Sequence, residues 1–111
     1  MTSPPKPPRA FTAFTEKYPK LAQAWELMAE EGRRGPMDEK TQRLVKLAVA
    51  IGAMRQGAVH SSVRKALALG ITPEELEQTV ALAAGTLGMP STVAVFAWVQ
   101  DELVEDDGSH E

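Results

Sequence analysis

The sequence predicts an all-α protein with a single helical domain of about five to six helices. Apolar residues recur at spacings of three and four along most of the chain, and prolines and glycines divide it into segments of helix length. No stretch alternates apolar and polar residues as a half-buried strand does. We place the folded domain at residues 10–103, between a proline-rich disordered arm at residues 1–9 and an acidic tail at residues 104–111.

Composition excludes several functional classes. The net charge of -3 gives no general basic field, so we expect no nucleic-acid partner. No apolar run is long enough to span a membrane, and prolines stand where a secretory signal needs an apolar core, so we expect a cytoplasmic protein without a membrane partner. The chain has no cysteine, which excludes disulfides, thiolate metal sites and thiol redox chemistry.

Two helices are predicted in the first third of the chain. Phe11, Phe14 and Tyr18 recur at helical spacing, which indicates a short amphipathic helix that ends before Pro19. Proline suits the first turn of the next helix, because the amide hydrogen it lacks has no partner there. That second helix should end at Gly32.

The most apolar part of the chain is residues 41–54, which we interpret as a helix capped by Asp38. Gly57 is predicted to break the chain, and a further helix should follow and stop at Gly70. A helix that is apolar nearly all round must be covered on every side, and so short a chain offers few covering residues. We therefore expect self-association as a homo-oligomer.

The strongest local signal lies at Thr72. Thr72, Pro73 and Glu75 form the pattern of a threonine cap, a proline at the first helical position and a glutamate that bonds back to the cap. A break at residues 88–90 should separate this helix from a last one, and from Glu102 we expect a frayed acidic end. The predicted apolar residues of the last helix are Val93, Phe96, Ala97 and Val99.

Several linked motifs resemble the carboxymuconolactone decarboxylase family. They are GPMDEKT at 35–41, LVKLA at 44–48, GAVHSSVRKAL at 57–67, ALGITPEE at 68–75 and GMP at 88–90. The family includes the lactone decarboxylase of aromatic catabolism and the AhpD-like thiol peroxidases, which act on alkyl hydroperoxides. The resemblance implies an all-helical subunit that assembles into trimers or hexamers.

The peroxidase branch of this family uses a glutamate, a Cys-x-x-Cys pair and a histidine. The residues at these positions are Arg43, Arg55, Ala58 and Ser62. All four differ from the peroxidase pattern. Without a thiolate there is no attack on a peroxide, so the peroxidase mechanism of the family is excluded.

The decarboxylase branch resembles this chain in having an arginine at position 55, which suits a substrate carboxylate. It has a glutamate and a histidine where Ala58 and Ser62 stand here, and neither of these can act as a general acid or base. We predict a cofactor-free and metal-free enzyme or binding protein for a small carboxylated, lactone-like molecule, held by Arg55 and Arg43. The alternative is a catalytically degenerate protein whose role is assembly or interaction.

The catalytic candidates are Arg55, Ser62 and His60. His60 is the side chain that titrates near neutrality. Residues two positions apart on a helix point about 200° away from each other. If Ser62 faces a pocket, we therefore expect His60 at the surface or at a subunit interface. Ser62 is better interpreted as a small residue at a helix contact, because no triad partner accompanies it. Arg43 and Arg55 have the alternative interpretation of solvated ends of a buried helix.

Overall fold

A computed structural model describes residues 8–107 of the chain. Within these residues the protein contains six helices and no strand, which confirms the predicted all-α class. The predicted arm up to residue 7 and the tail from residue 108 lie outside the described residues. No helix in the described part is both long and apolar enough to cross a membrane. The helices are α1 (Arg9–Lys17), α2 (Pro19–Gly32), α3 (Glu39–Gly52), α4 (Gln56–Leu69), α5 (Pro73–Leu87) and α6 (Met89–Asp107).

Helices α1 and α2 form one unit, within residues 8–37. Tyr18 joins them, and its amide donates to the Phe14 carbonyl at 2.9 Å while Pro19 occupies the first turn of α2, as predicted. Neither helix contains a buried residue, although their spacing is amphipathic. The exposed apolar side chains are Phe11, Phe14, Tyr18, Leu21, Trp25, Leu27 and Met28.

Helices α3 to α6 form the second unit and enclose the core. Helix α3 packs against α4 and α5, and α6 packs against the same two helices. Each helix of this unit therefore buries apolar side chains against two neighbours, which is the main favourable contribution to its folding. The largest fully buried side chains are Leu47, Ile51, Val59, Val63, Leu76, Val80, Val95 and Val99.

The turn between α3 and α4 centres on Met54. The Met54 amide donates to the Ile51 carbonyl at 3.0 Å and the Arg55 amide to the Ala50 carbonyl at 3.1 Å, which is the Schellman pattern. Met54 has a φ of 54°, and among the described residues it is the single non-glycine residue with positive φ. The predicted break at Gly57 is wrong, because Gly57 lies inside the first turn of α4. The left-handed position usually given to glycine is occupied here by methionine.

The turn between α4 and α5 has the same hydrogen-bond pattern with glycine in place. Gly70 has a φ of 98°, and the Ile71 amide donates to the Ala66 carbonyl at 3.0 Å. The predicted capping box follows directly: the Glu75 amide donates to the Thr72 hydroxyl at 3.1 Å, and the Thr72 amide donates to the Glu75 carboxylate at 3.0 Å. Local signals in the sequence thus define both sides of this turn.

Helix α6 buries a different face from the one predicted. Val99 is fully buried as expected, but Val93 and Phe96 are 56% and 42% exposed. The buried side is formed by Thr92, Val95, Val99, Glu102 and Leu103. The expectation that the chain frays from Glu102 is wrong, since α6 continues to Asp107 and Glu102 is only 8% exposed.

Candidate functional site

A buried carboxylate links α4 to α6. One oxygen of Glu102, Oε2, lies 2.7 Å from His60 Nδ1 and 3.0 Å from Arg64 Nη1. His60 and Arg64 are four residues apart and so lie on one face of α4. The three side chains form the His60–Glu102–Arg64 cluster, in which a carboxylate can orient an imidazole and balance positive charge on it.

Sequence patterns identified His60 but missed Glu102 and Arg64. Glu102 was expected in a frayed tail, although it follows Val95 and Val99 at spacings of seven and three. Those spacings belong to the buried side of a helix, and they were the available signal that Glu102 faces inward. His60 was expected at the surface or at an interface. It is instead half-buried against α6 of the same chain.

Ser62 and Ala58 lie on another side of α4. Ser62 is half-buried and Ala58 is exposed, and both are two positions from His60, which corresponds to about 200° around the helix. The structure therefore does not bring His60 together with the positions that carry the reactive groups of the family's peroxidases. In residues 8–107, no three His, Asp or Glu side chains are grouped as metal ligands.

Arg55 is the N-cap residue of α4. It is exposed and makes no capping hydrogen bond through its side chain, and the first turn of α4 contains no acidic residue. The first amide N–H groups of a helix have no partner within the helix, and they create a positive potential at this end. The guanidinium therefore adds its charge to an end of α4 that already favours anions.

Arg43 belongs to a different part of the structure. It is half-buried on α3, about 13 Å along the helix from Gly52 at a rise of about 1.5 Å per residue. Partial burial lowers the pKa of Lys65, on the second half of α4, and the charges of Arg43 and Arg64 lower it further. Arg43 is twelve positions before Arg55, with residues 43–52 of α3 between them.

An apolar groove runs between α3 and α5. Its volume is about 270 Å³ and its lining includes Ala48, Gly52, Ala83 and Leu87. Leu82 also lines it and is 76% exposed, while the neighbouring Val49 on α3 is 65% exposed. Within a single chain, then, α3 leaves one side in contact with water.

The comparison with known proteins identifies the family. The model of the Carboxymuconolactone decarboxylase family matches residues 19–101, from the start of α2 to within α6. No curated protein and no solved structure matches the chain significantly. The match includes both units and the positions of Arg43, Arg55, His60 and Ser62, and the chain lacks the Cys-x-x-Cys pair of the family's peroxidases. The chain belongs to the carboxymuconolactone decarboxylase family.

Proposed function

We propose that this protein binds a small carboxylated, lactone-like molecule at the N-terminal end of α4, as a cofactor-free binding protein or enzyme. The observation that carries the proposal is Arg55 at the N-cap of α4, exposed and next to a first turn without an acidic side chain. The whole of α4 contains no aspartate or glutamate. A ligand carboxylate would meet no negative charge on this helix.

Two physical features support this position. A carboxylate at the end of α4 accepts hydrogen bonds from backbone amides while it pairs with the guanidinium, and charged hydrogen bonds of this kind are the stronger ones. The residue before Arg55, Met54, holds a left-handed backbone that costs an L-residue about 1–2 kcal/mol. Strained backbone tends to persist at functional sites, and Met54 directly precedes the N-cap residue of α4.

The proposal assigns the carboxylate to Arg55 alone. Arg43, the second ligand residue predicted from the sequence, lies further back along α3 and stays a prediction. A thiol peroxidase function is excluded by the absence of cysteine.

Thermal unfolding with added ligands tests the site. Carboxylated lactones and small dicarboxylates should raise the melting temperature, and a ligand at a hundredfold excess over its Kd stabilises the folded state by about 2.7 kcal/mol. Arg55→Ala should abolish the shift. Arg34→Ala is the matched control, because Arg34 is another exposed arginine and should leave the shift unchanged.

Two comparisons make the result specific. The uncharged methyl ester of the same lactone should give no shift if the carboxylate is what Arg55 holds. An equal shift in Arg55→Ala and in the wild type would refute the site. The absence of a shift with every carboxylate would favour a role in assembly instead.

We also propose that the protein functions as a homo-oligomer, most simply a trimer or a hexamer. Val49 of α3 and Leu82 of α5 support this, because burying the part of each side chain that is still exposed would contribute about 1–2 kcal/mol. Light scattering at micromolar concentration should give a mass of three or six chains. Val49→Asp should lower that mass, since burying an unpaired carboxylate is costly. A monomeric wild type would contradict the proposal.

A further inference from the structure

We infer that Glu102 is a positioning residue that holds the proton of the His60 imidazole on Nδ1, so that His60 is an acid–base group whose proton acceptor is Nε2. This inference goes beyond the carboxylate site at Arg55 and does not depend on it. It concerns the contact between α4 and α6 and requires no residue of the α4 N-cap.

The hydrogen-bond chemistry of the cluster decides which nitrogen carries the proton. Arg64 stays protonated in proteins, and an ionised carboxylate beside it can only accept hydrogen bonds. Because Glu102 Oε2 lies 2.7 Å from His60 Nδ1, the nitrogen must be the donor. On the other side of the ring, the Gln56 amide nitrogen lies 3.5 Å from His60 Nε2. The Gln56 amide can turn to present either its N–H or its oxygen to Nε2, so the tautomer follows from the Nδ1 contact.

This arrangement gives His60 a defined chemical capacity. Nε2 can accept a proton from a substrate hydroxyl or acidic C–H that takes the place of the Gln56 amide. In this step the O–H or C–H bond breaks, its electron pair stays on the substrate atom, and a new N–H bond forms at Nε2. Glu102 then balances the imidazolium until the proton is returned. No other reactant is required. The substrate class is a weak carbon or oxygen acid small enough to reach the exposed side of the α4–α6 contact.

The position of the proton can be measured directly by NMR. The 111-residue chain carries two histidines, so His110→Asn leaves His60 as the single imidazole. In this background, long-range ¹H–¹⁵N correlation at about pH 8, above the usual imidazole range, should show a protonated Nδ1 and an unprotonated Nε2. Glu102→Leu removes the acceptor, and the signal should shift towards the Nε2–H form that a free imidazole prefers.

A second variant separates positioning from packing. Glu77→Leu also removes a carboxylate that accepts a hydrogen bond from α6, from Gln100 at 2.8 Å, but it leaves His60 untouched and should preserve the Nδ1–H form. An Nε2–H form or an imidazolium in the protein with Glu102 intact would overturn the inference, whether or not Glu102→Leu folds. An unchanged Nδ1–H form in a folded Glu102→Leu variant would also overturn it.

Discussion

The left-handed turn at Gly70 allows a sharp test of the fold. Gly70→Ala adds one methyl group where φ is +98°, and no atom outside the adjoining residues lies within 4 Å of the added Cβ. The expected cost is therefore conformational and not steric, about 1–2 kcal/mol for an L-residue in this region. The carbonyls of Ala66 and Leu67 depend on this turn, because the amides of Ile71 and Gly70 are their hydrogen-bond donors.

Gly85→Ala is the matched control. Gly85 lies inside α5 with ordinary helical backbone, and again nothing lies within 4 Å of the added methyl group. Alanine in a helix interior is more stable than glycine by about 0.5–1 kcal/mol. Two identical additions should thus change the free energy of unfolding in opposite directions, with a difference of about 2 kcal/mol.

Urea unfolding followed by far-UV circular dichroism measures both free energies. Protein concentration must be held constant, because self-association would contribute to stability. In thermal unfolding, each kcal/mol should shift the melting temperature by roughly 4–8 °C for a domain of about this size. If Gly70→Ala were as stable as the wild type, the left-handed turn and its Schellman pattern would be refuted.

Three further predictions concern α3 and α5. Thr72→Ala should lower the free energy of unfolding by about 1 kcal/mol through loss of the capping box. Thr72→Ser should retain most of the stability of the wild type, and urea unfolding measures both variants. The hydrogen bonds from Lys40 and from the Thr72 amide hold the pKa of Glu75 below its ordinary value of 4.5. The Glu75 carboxylate therefore stabilises the fold above pH 4.5, and this contribution is lost as the pH falls through the lower pKa of the folded state. Glu75→Gln should flatten the acid side of stability measured against pH, and an unchanged profile would contradict the assigned contacts. Leu47→Ala should cost about 2–5 kcal/mol, because Leu47 has no exposed surface, and a loss below about 1 kcal/mol would place it outside the core.

Local signals predicted the starts and ends of most helices. The Thr72 cap, the Asp38 cap and the Gly70 stop all occur as expected, and the Thr41 amide donates to the Asp38 carboxylate at 2.8 Å. Such contacts join residues within four positions of one another, so the sequence contains all the information they need. The turn at Met54 was missed because its left-handed residue is not the one that usually adopts this conformation.

The candidate site was only partly predictable, because its contacts are long-range. Glu102 is separated from His60 by 42 positions and from Arg64 by 38. Nothing near Glu102 in the sequence indicates that a histidine and an arginine will meet it, and an acidic residue near a chain end is usually solvated. The prediction that Val93 and Phe96 face inward was wrong for the same reason, because long-range contacts decide which face of α6 is buried.

By itself, the sequence determined the all-α class, the caps and the absence of thiol chemistry, since these follow from residue types, short spacings and composition. The partners of His60 were decided by tertiary structure alone. They depend on how α4 and α6 pack, because packing brings distant residues into contact and buries a carboxylate only where donors can satisfy it.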